Sequence, residues 1–366
     1  MKFLGYFSKN YADEKGREYY FDNAKFILIV LVVLAHFTSP IKTDHPKVKA
    51  LWTVINTLHM PCLIMISGYF AKGYIKNGVI KTQRLFTYII YYLAAQLVVS
   101  LFEYFVLGYK DMAISVVSAR SSLWYLVCLC WWFALLPYIY RVKPAIMLPF
   151  AIFAGLMFGY DTDAGNLLAI ERAVNHFPFF LMGYYFKKDW LYKFRNVWTQ
   201  LAAAVILIVS GIVTFFCLDM IPSRTITGNY SYHKSNFQNL DPQLPIFTEP
   251  ELWFVNRLLF YLAAVILCVC FMLLVPRGKA IFTKFGSRTL QVYILHRFLY
   301  LAELEYGWWE PYNSAKGFFI VSAISIAVTV ILSLKIFEYP FKWLGKLGIS
   351  KFENKKLPEV RIDETK

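Results

Sequence analysis

The stretch that decides the fold is FDNAKFILIVLVVLAHFTSP, residues 21–40. It is typical of a membrane helix, yet it holds Lys25 near its start and His36 near its end. On an α-helix, eleven residues make three turns plus roughly 20°, so these two side chains share a face and lie about 16 Å apart along the axis. Asp22 falls on the same face. We therefore predict a polar stripe that runs from the cytoplasmic surface to a histidine inside the membrane.

The composition around this stretch indicates an all-α, polytopic integral membrane protein. Of the 366 residues, 58% are hydrophobic and 19% are aromatic, well beyond the values for a soluble domain. Residues 1–20 are polar and mixed in charge, and no apolar run there precedes a small-residue cleavage site. We therefore expect no signal peptide and insertion through the first hydrophobic helix itself.

Apolar runs bounded by charged residues predict about ten transmembrane helices. Several are short, and the ninth is interrupted by His296 and Arg297. The predicted spans are 24–40, 51–71, 85–107, 121–140, 144–159, 173–187, 197–219, 252–275, 288–304 and 317–338.

The distribution of Lys and Arg tests this count, because cytoplasmic loops collect these residues. With both termini inside, 26 of the 38 Lys and Arg lie in inside segments and 9 in outside loops. This predicts a cytoplasmic segment 1–23, a membrane domain 24–340 with a long outside loop 220–251, and a basic cytoplasmic tail 341–366. The net charge of +15 then reflects attraction to membrane lipids, without nucleic acid as a partner.

The six cysteines predict neither a metal site nor a redox centre. They include two C-x-C pairs, whose members point about 200° apart on a helix, and no C-x-x-C. We expect these thiols to act as apolar filler, and we expect no metal in the protein.

Ionisable side chains at membrane depth usually line a wet cavity or a bundle interior. Lys25 alone also fits a lysine that anchors the helix end at the membrane surface, whereas His36 favours a functional role. His59, in INTLHMPCLIMISGYF, enters the second span near the depth of His36, and Pro61 loosens the helix there. Site lining and a structural hydrogen bond are equally good interpretations of His59.

A second group of cations follows the second span. In IKTQRLFTY, Lys81 and Arg84 have i, i+3 spacing, which places them on one face at the start of the third helix. Together with Lys25 they could converge on a phosphorylated ligand, since lysine and arginine both bind phosphate. The simpler interpretation is a positive-inside cluster.

These features form a series with HMPCLIMISGYF, LWYL at 123–126, PFFLMGYYF at 178–186, LQVYILH at 290–296 and FEYP at 337–340. In this order, from about residue 20 to 345, they resemble the acyltransferase type 3 family of membrane O-acetyltransferases. The form DNAKFILIVLVVLAH is similar to the fucose-4-O-acetylase-like branch of that family.

The resemblance implies ten core membrane helices and transfer of acetyl from cytoplasmic acetyl-CoA, the acyl donor, to a hydroxyl of a cell-surface or lipid-linked glycan. It implies that His36 is the catalytic general base or acyl acceptor. The family's R/K-x10-H motif falls on Lys25 and His36, and its R-x-x-R motif falls on Lys81 and Arg84. The resemblance therefore implies that Lys25, Lys81 and Arg84 bind the cofactor. Lys replaces the commoner Arg at positions 25 and 81, which keeps the charge but loses bidentate phosphate geometry.

Other polar residues within the spans or at their ends are candidates for lining the same cavity. For Glu103 a position at the lipid interface is an equally good interpretation, and Trp124 also fits an interfacial aromatic belt. The competing functional class is a transporter or flippase of a lipid-linked sugar, but no internal repeat supports it. In either class we expect a multi-pass protein of a bacterial cytoplasmic membrane. The candidate cavity-lining residues are Asp22, His59, Glu103, Trp124, Arg172, Asn256, Arg257 and His296.

Overall fold

A computed structural model of the chain describes residues 11–12, 16–76, 79–111, 114–163, 167–221, 223–228, 230–235 and 244–346. The predicted cytoplasmic segment 1–23 and basic tail 341–366 lie partly outside these ranges. Every helix, strand and contact named below lies within these ranges.

Regular structure is helical apart from one small hairpin. Its strands, β1 (Ile75–Lys76) and β2 (Val79–Ile80), pair antiparallel with Ile75 opposite Ile80. The helices are α1 (Tyr19–Phe37), α2 (Pro46–Ala71), α3 (Gln83–Phe105), α4 (Trp124–Ile139), α5 (Pro144–Met157), α6 (Ile170–Tyr185), α7 (Lys188–Phe194), α8 (Val197–Phe216), α9 (Ser223–Thr227), α10 (Pro245–Thr248), α11 (Trp253–Leu274), α12 (Thr289–Tyr306), α13 (Ala315–Leu332) and α14 (Glu338–Lys346).

The described residues include five helical segments that are long and apolar enough to cross a membrane. A sixth is counted if Lys316–Leu332 and Lys335–Lys346, which meet at a 62° bend, form one span. The protein is therefore a helical membrane protein. Each of the ten predicted spans overlaps a helix, but α4 and α5 are short, and α6 and α12 carry several ionisable residues, so the number of ten spans stays a prediction. The five segments are Tyr19–Phe37, Pro46–Tyr74, Gln83–Phe105, Val197–Phe216 and Pro250–Leu274.

The chain divides into two compact units, each built from segments that are distant in sequence. The first unit comprises Met1–Leu63, Lys187–Ile226 and Leu259–Glu338, and the second comprises Ile64–Phe186, Thr227–Leu258 and Tyr339–Lys366. Each unit is described by itself.

In the first unit, a buried asparagine fixes the N-terminal end of α1. The Asn23 amide donates to two backbone carbonyls of segment 276–278, both at 2.9 Å, and its oxygen accepts the Thr283 hydroxyl at 2.6 Å. Gly286 packs directly on the α1 backbone, because a Cβ there would lie 1.9 Å from the carbonyl oxygen of Asp22. This end of α1, which carries the start of the polar stripe, is therefore held by side-chain bonds and by close backbone packing.

In the second unit, the described parts of the predicted outside loop 220–251 are packed. Tyr232 and Phe247 form a small buried cluster with Trp253 at the start of α11. The Tyr232 hydroxyl donates to the carbonyl of Leu156 at 2.9 Å, and the Trp253 indole donates to the carbonyl of Phe247 at 2.9 Å. The loop thus contributes to the core of this unit.

Candidate active site

His36 lies one residue before the end of α1, with its ring half-buried among side chains of α12. Its ring centroid is 5.1 Å from that of His296 and 5.0 Å from that of Tyr300. His296 and Tyr300 are four residues apart and so share one face of α12. Within the described part of the chain, no group hydrogen-bonds to the His36 ring nitrogens.

The second imidazole, His296, is fully buried and held in one orientation. Its Nδ1 lies 2.9 Å from the carbonyl oxygen of Val292. A carbonyl only accepts, so Nδ1 carries the proton, and in the neutral ring Nε2 is a hydrogen-bond acceptor. The buried Arg297 guanidinium lies 4.7 Å from the ring centroid of Tyr300. His296 was among the predicted cavity residues and Tyr300 was not, since its only signal in the sequence is its position one helical turn after His296.

His59 is buried in α2, and its ring turns back onto its own helix. Nδ1 donates to the carbonyl of Ile55 at 2.6 Å, which accounts for one ring nitrogen by a structural hydrogen bond. The ring is still close enough to His36 for the two to interact electrostatically. A role for His59 in lining the site stays a prediction.

At the N-terminal end of α1, Lys25 lies in an ion cluster centred on Asp22, whose described members are Arg17, Asp22 and Lys25. The Lys25 ammonium is 2.9 Å from the Asp22 carboxylate, which also accepts two hydrogen bonds of 2.7 Å from the Arg17 guanidinium. One continuous helix carries both Lys25 and His36, as the spacing predicted. Because Lys25 is paired with Asp22, a phosphate bound here would share Lys25 with that carboxylate. Arg17 was not predicted, since its spacing from Asp22 fits no helical pattern.

The other two predicted phosphate ligands, Lys81 and Arg84, are exposed and belong to the second unit. The prediction that both lie on α3 is wrong for Lys81, which precedes that helix. Its N–H donates to the carbonyl of Tyr74 at 2.8 Å, and this bond holds it at the end of the hairpin. Arg84 donates to the carbonyl of Phe70 at 3.0 Å. The convergence of these cations with Lys25 stays a prediction.

Arg257 is the centre of a buried polar network in the second unit. Its Nη1 donates to the Asn175 side-chain oxygen at 2.7 Å and to the carbonyl of Gly155 at 2.9 Å, and Nη2 donates to the carbonyl of Tyr230 at 3.3 Å. The guanidinium also lies 4.6 Å from the ring centroid of Tyr232. These bonds join α5, α6 and the loop before α11, so Arg257 acts first as a structural residue.

The structure brings two other predicted cavity residues together. The Arg172 guanidinium lies 4.8 Å from the ring centroid of Trp124, and the His176 ring lies 5.3 Å from the same indole. These groups are stacked near the start of α4 and the first turns of α6 in the second unit.

Two further candidates make structural contacts. The Glu103 carboxylate forms an ion pair with Arg120. The Asn256 amide donates to the carbonyl of Ile246 at 2.8 Å. These bonds give Glu103 and Asn256 definite structural partners, and their role in a cavity stays a prediction.

A pH effect is expected at Lys42, in the turn between α1 and α2. Its ammonium donates to the Ser39 hydroxyl at 3.1 Å and lies 3.4 Å from the Trp52 ring centroid. Burial, with a smaller contribution from the charge of Lys49, lowers the pKa of Lys42 from 10.5 to about 8. The unfolded chain then binds this proton more tightly than the folded protein, so this lysine makes stability rise from about pH 8 to about pH 10.5.

The test is the thermal unfolding midpoint of wild type and Lys42→Met between pH 7 and 10.5. We expect the variant to lack the part of the rise that Lys42 contributes, with Lys47→Met, an exposed neighbour, behaving like wild type. Parallel curves for wild type and Lys42→Met would show that the pKa of Lys42 is the same in the folded and unfolded states.

Comparison with known proteins adds one finding. A family model described as an acyltransferase domain matches residues 18–337. Searches of the curated proteins and of the solved structures gave no match. The matched range covers most of the chain and contains both α1, with His36, and α12, with His296.

Proposed function

Since the chain belongs to the acyltransferase family whose model spans residues 18–337, we propose that it is a membrane O-acetyltransferase. In this proposal it moves acetyl from cytoplasmic acetyl-CoA to a hydroxyl of a cell-surface or lipid-linked glycan, as a member of the fucose-4-O-acetylase-like branch. The observation that carries the proposal is His36, half-buried at the end of α1, with no hydrogen bond to its ring from the described residues.

The proposed chemistry uses His36 as a general base. The imidazole takes the proton of the glycan hydroxyl as that oxygen attacks the thioester carbonyl. The carbon–sulfur bond then breaks, and the departing CoA thiolate takes the proton from the imidazolium. A positioned base of this kind contributes about 10²–10⁴ in rate, roughly 3–5 kcal/mol of the barrier. A route through acetyl-histidine would use the same ring as nucleophile.

The donor is proposed to bind with its phosphates against Lys25, Lys81 and Arg84. The exposed positions of Lys81 and Arg84 support this role. The pantetheine arm would then extend along α1. The rise of about 16 Å between Lys25 and His36 is comparable to the reach of that arm.

The proposed topology has ten spans with both termini inside, in a bacterial cytoplasmic membrane. The five or six apolar spans and the agreement of ten predicted spans with ten helices support it. The excess of Lys and Arg in the segments assigned to the inside supports the orientation. This orientation puts Lys25 on the donor side and His36 toward the acceptor side.

The direct test is whether the purified wild-type protein in lipid nanodiscs consumes acetyl-CoA. Radiolabelled acetyl-CoA would be incubated with the protein and a mixed glycan extract, and both released CoA and labelled glycan would be measured. We expect both products, together with saturable CoA binding. A protein that neither binds CoA nor consumes acetyl-CoA would contradict the proposal and favour transport of a lipid-linked sugar.

A further inference from the structure

Buried polar atoms in folded proteins nearly always have a hydrogen-bond partner, so a group of exceptions points to a missing ligand. Three exceptions occur in α12 and the turn that follows it, within the first unit. Considering the described residues only, no partner is found for Nε2 of His296, Oε2 of Glu303 or Nε1 of Trp309. These residues are 0%, 2% and 9% exposed. Each atom would be costly to bury without a partner.

The residues that carry the three atoms lie on α12 and in the turn after it, and this part of the chain packs against the C-terminal end of α1. His296, Tyr300 and Glu303 are spaced four and three residues apart, so they form a stripe on one face of α12. The Trp309 backbone N–H donates to the Glu303 carboxylate, and the Trp309 ring lies 5.8 Å from that of Phe37, the last residue of α1. This polar face of α12 therefore extends from the proposed catalytic imidazole, His36, to the loop after α12.

The chemistry of these atoms selects a class of ligand. Glu303 and His296 offer acceptors, and the Trp309 indole offers a donor. A hydroxyl group both donates and accepts, so a ligand with several hydroxyls satisfies all three atoms. The buried charges of Arg297 and Glu303 sum to zero, which favours a neutral ligand over a carboxylate or a phosphate.

We propose that His296, Glu303 and Trp309 form a binding subsite for a neutral pyranose, the sugar unit that presents its hydroxyl to His36. The presentation of that hydroxyl to His36 for acetylation rests on the proposed function. Sugar binding itself follows from the unsatisfied polar atoms and does not require acetyl transfer.

The test is binding of methyl glycosides of glucose, galactose and N-acetylglucosamine to the full chain in nanodiscs, by saturation-transfer NMR. Methyl glucuronide is the charged counterpart. Trp309→Phe removes only the indole N–H, and Glu303→Gln removes the charge but keeps an acceptor for the backbone bond. Trp308→Phe and Glu305→Gln are matched controls, because both side chains are exposed neighbours of the same types.

We expect at least one neutral glycoside to bind and methyl glucuronide to bind more weakly. We expect Trp309→Phe and Glu303→Gln each to weaken binding about tenfold, as for loss of one hydrogen bond with a charged or buried partner. The two controls should match wild type. Unchanged unfolding midpoints in all four variants would exclude misfolding as the cause.

Two outcomes would overturn the inference. If no neutral glycoside binds wild type, or if all variants bind equally, water alone fills these positions. Hydrolysis of acetyl-CoA is measured as well, because it distinguishes failure of the subsite from failure of the proposed function. A wild-type protein that hydrolyses acetyl-CoA but binds no neutral glycoside rejects the subsite alone. Sugar binding that depends on Trp309, in a protein that never consumes acetyl-CoA, rejects the transferase and keeps the subsite.

Discussion

Replacing His36 with alanine is expected to lower acetyl transfer by about 10²–10⁴-fold while CoA binding is retained. CoA binding should be retained because His36 and the proposed phosphate ligand Lys25 lie at opposite ends of α1. His36 is in contact with His296 and Tyr300 at one end of α1, whereas Lys25 lies eleven residues away at the other. The substitution therefore removes the proposed base without touching the proposed phosphate ligands. The measurement is labelled acetyl transfer and CoA affinity for wild type and variant in the same nanodiscs.

His233→Ala serves as the control, since His233 is an exposed histidine of the second unit and should transfer acetyl at the wild-type rate. His36→Gln keeps a polar side chain of similar size but lacks a basic nitrogen, so it should be as inactive as His36→Ala. Transfer within a few fold of wild type in both His36 variants would remove His36 from the chemistry. Loss of CoA binding in both would indicate a structural role instead.

Replacing Arg257 with alanine is expected to destabilise the protein by several kcal/mol, because each buried acceptor that loses its hydrogen bond to the guanidinium costs about 1–3 kcal/mol. The change removes one hydrogen-bond donor from the Asn175 oxygen and from the two backbone carbonyls of Gly155 and Tyr230. It also leaves a cavity against the Tyr232 ring. We expect a much lower unfolding midpoint and aggregation during purification.

Arg141→Ala is the matched control for this effect, because Arg141 is exposed in the turn after α4 and its loss should leave the midpoint within experimental error. Arg257→Lys should lie between wild type and alanine, since one ammonium cannot reproduce the planar fork of a guanidinium. An Arg257→Ala protein that is as stable as wild type would show that other groups satisfy the network.

The elements that sequence reasoning predicted well are those with a local signal. The spacing of Lys25 and His36 needs only the helical repeat, and the apolar runs that define the spans need only their own composition. The boundaries of the helices were predicted less accurately than their existence. Helix α1 begins at Tyr19 rather than residue 24, because Tyr20 is anchored by a 2.6 Å bond from its hydroxyl to the carbonyl of Met272.

The parts that were missed depend on contacts between distant segments. Tyr300 and Glu303 lie in a stretch whose polar residues made it look like a weak span, and only its packing beside α1 gives them a role. Arg257 was predicted as a cavity residue because it is a charge inside an apolar segment. Two of its partners are backbone carbonyls, which every residue has, so the sequence could not predict the network that Arg257 forms.

The long sequence separation within the first unit has a consequence for biosynthesis. His36 is synthesised about 260 residues before its neighbours His296 and Tyr300, a delay on the order of tens of seconds at about 5–20 residues per second. During that interval the polar stripe of α1 sits in the bilayer or its insertion machinery without α12. A chain truncated before residue 289 therefore contains His36 in the membrane without His296 and Tyr300, the two side chains that contact it in the folded unit.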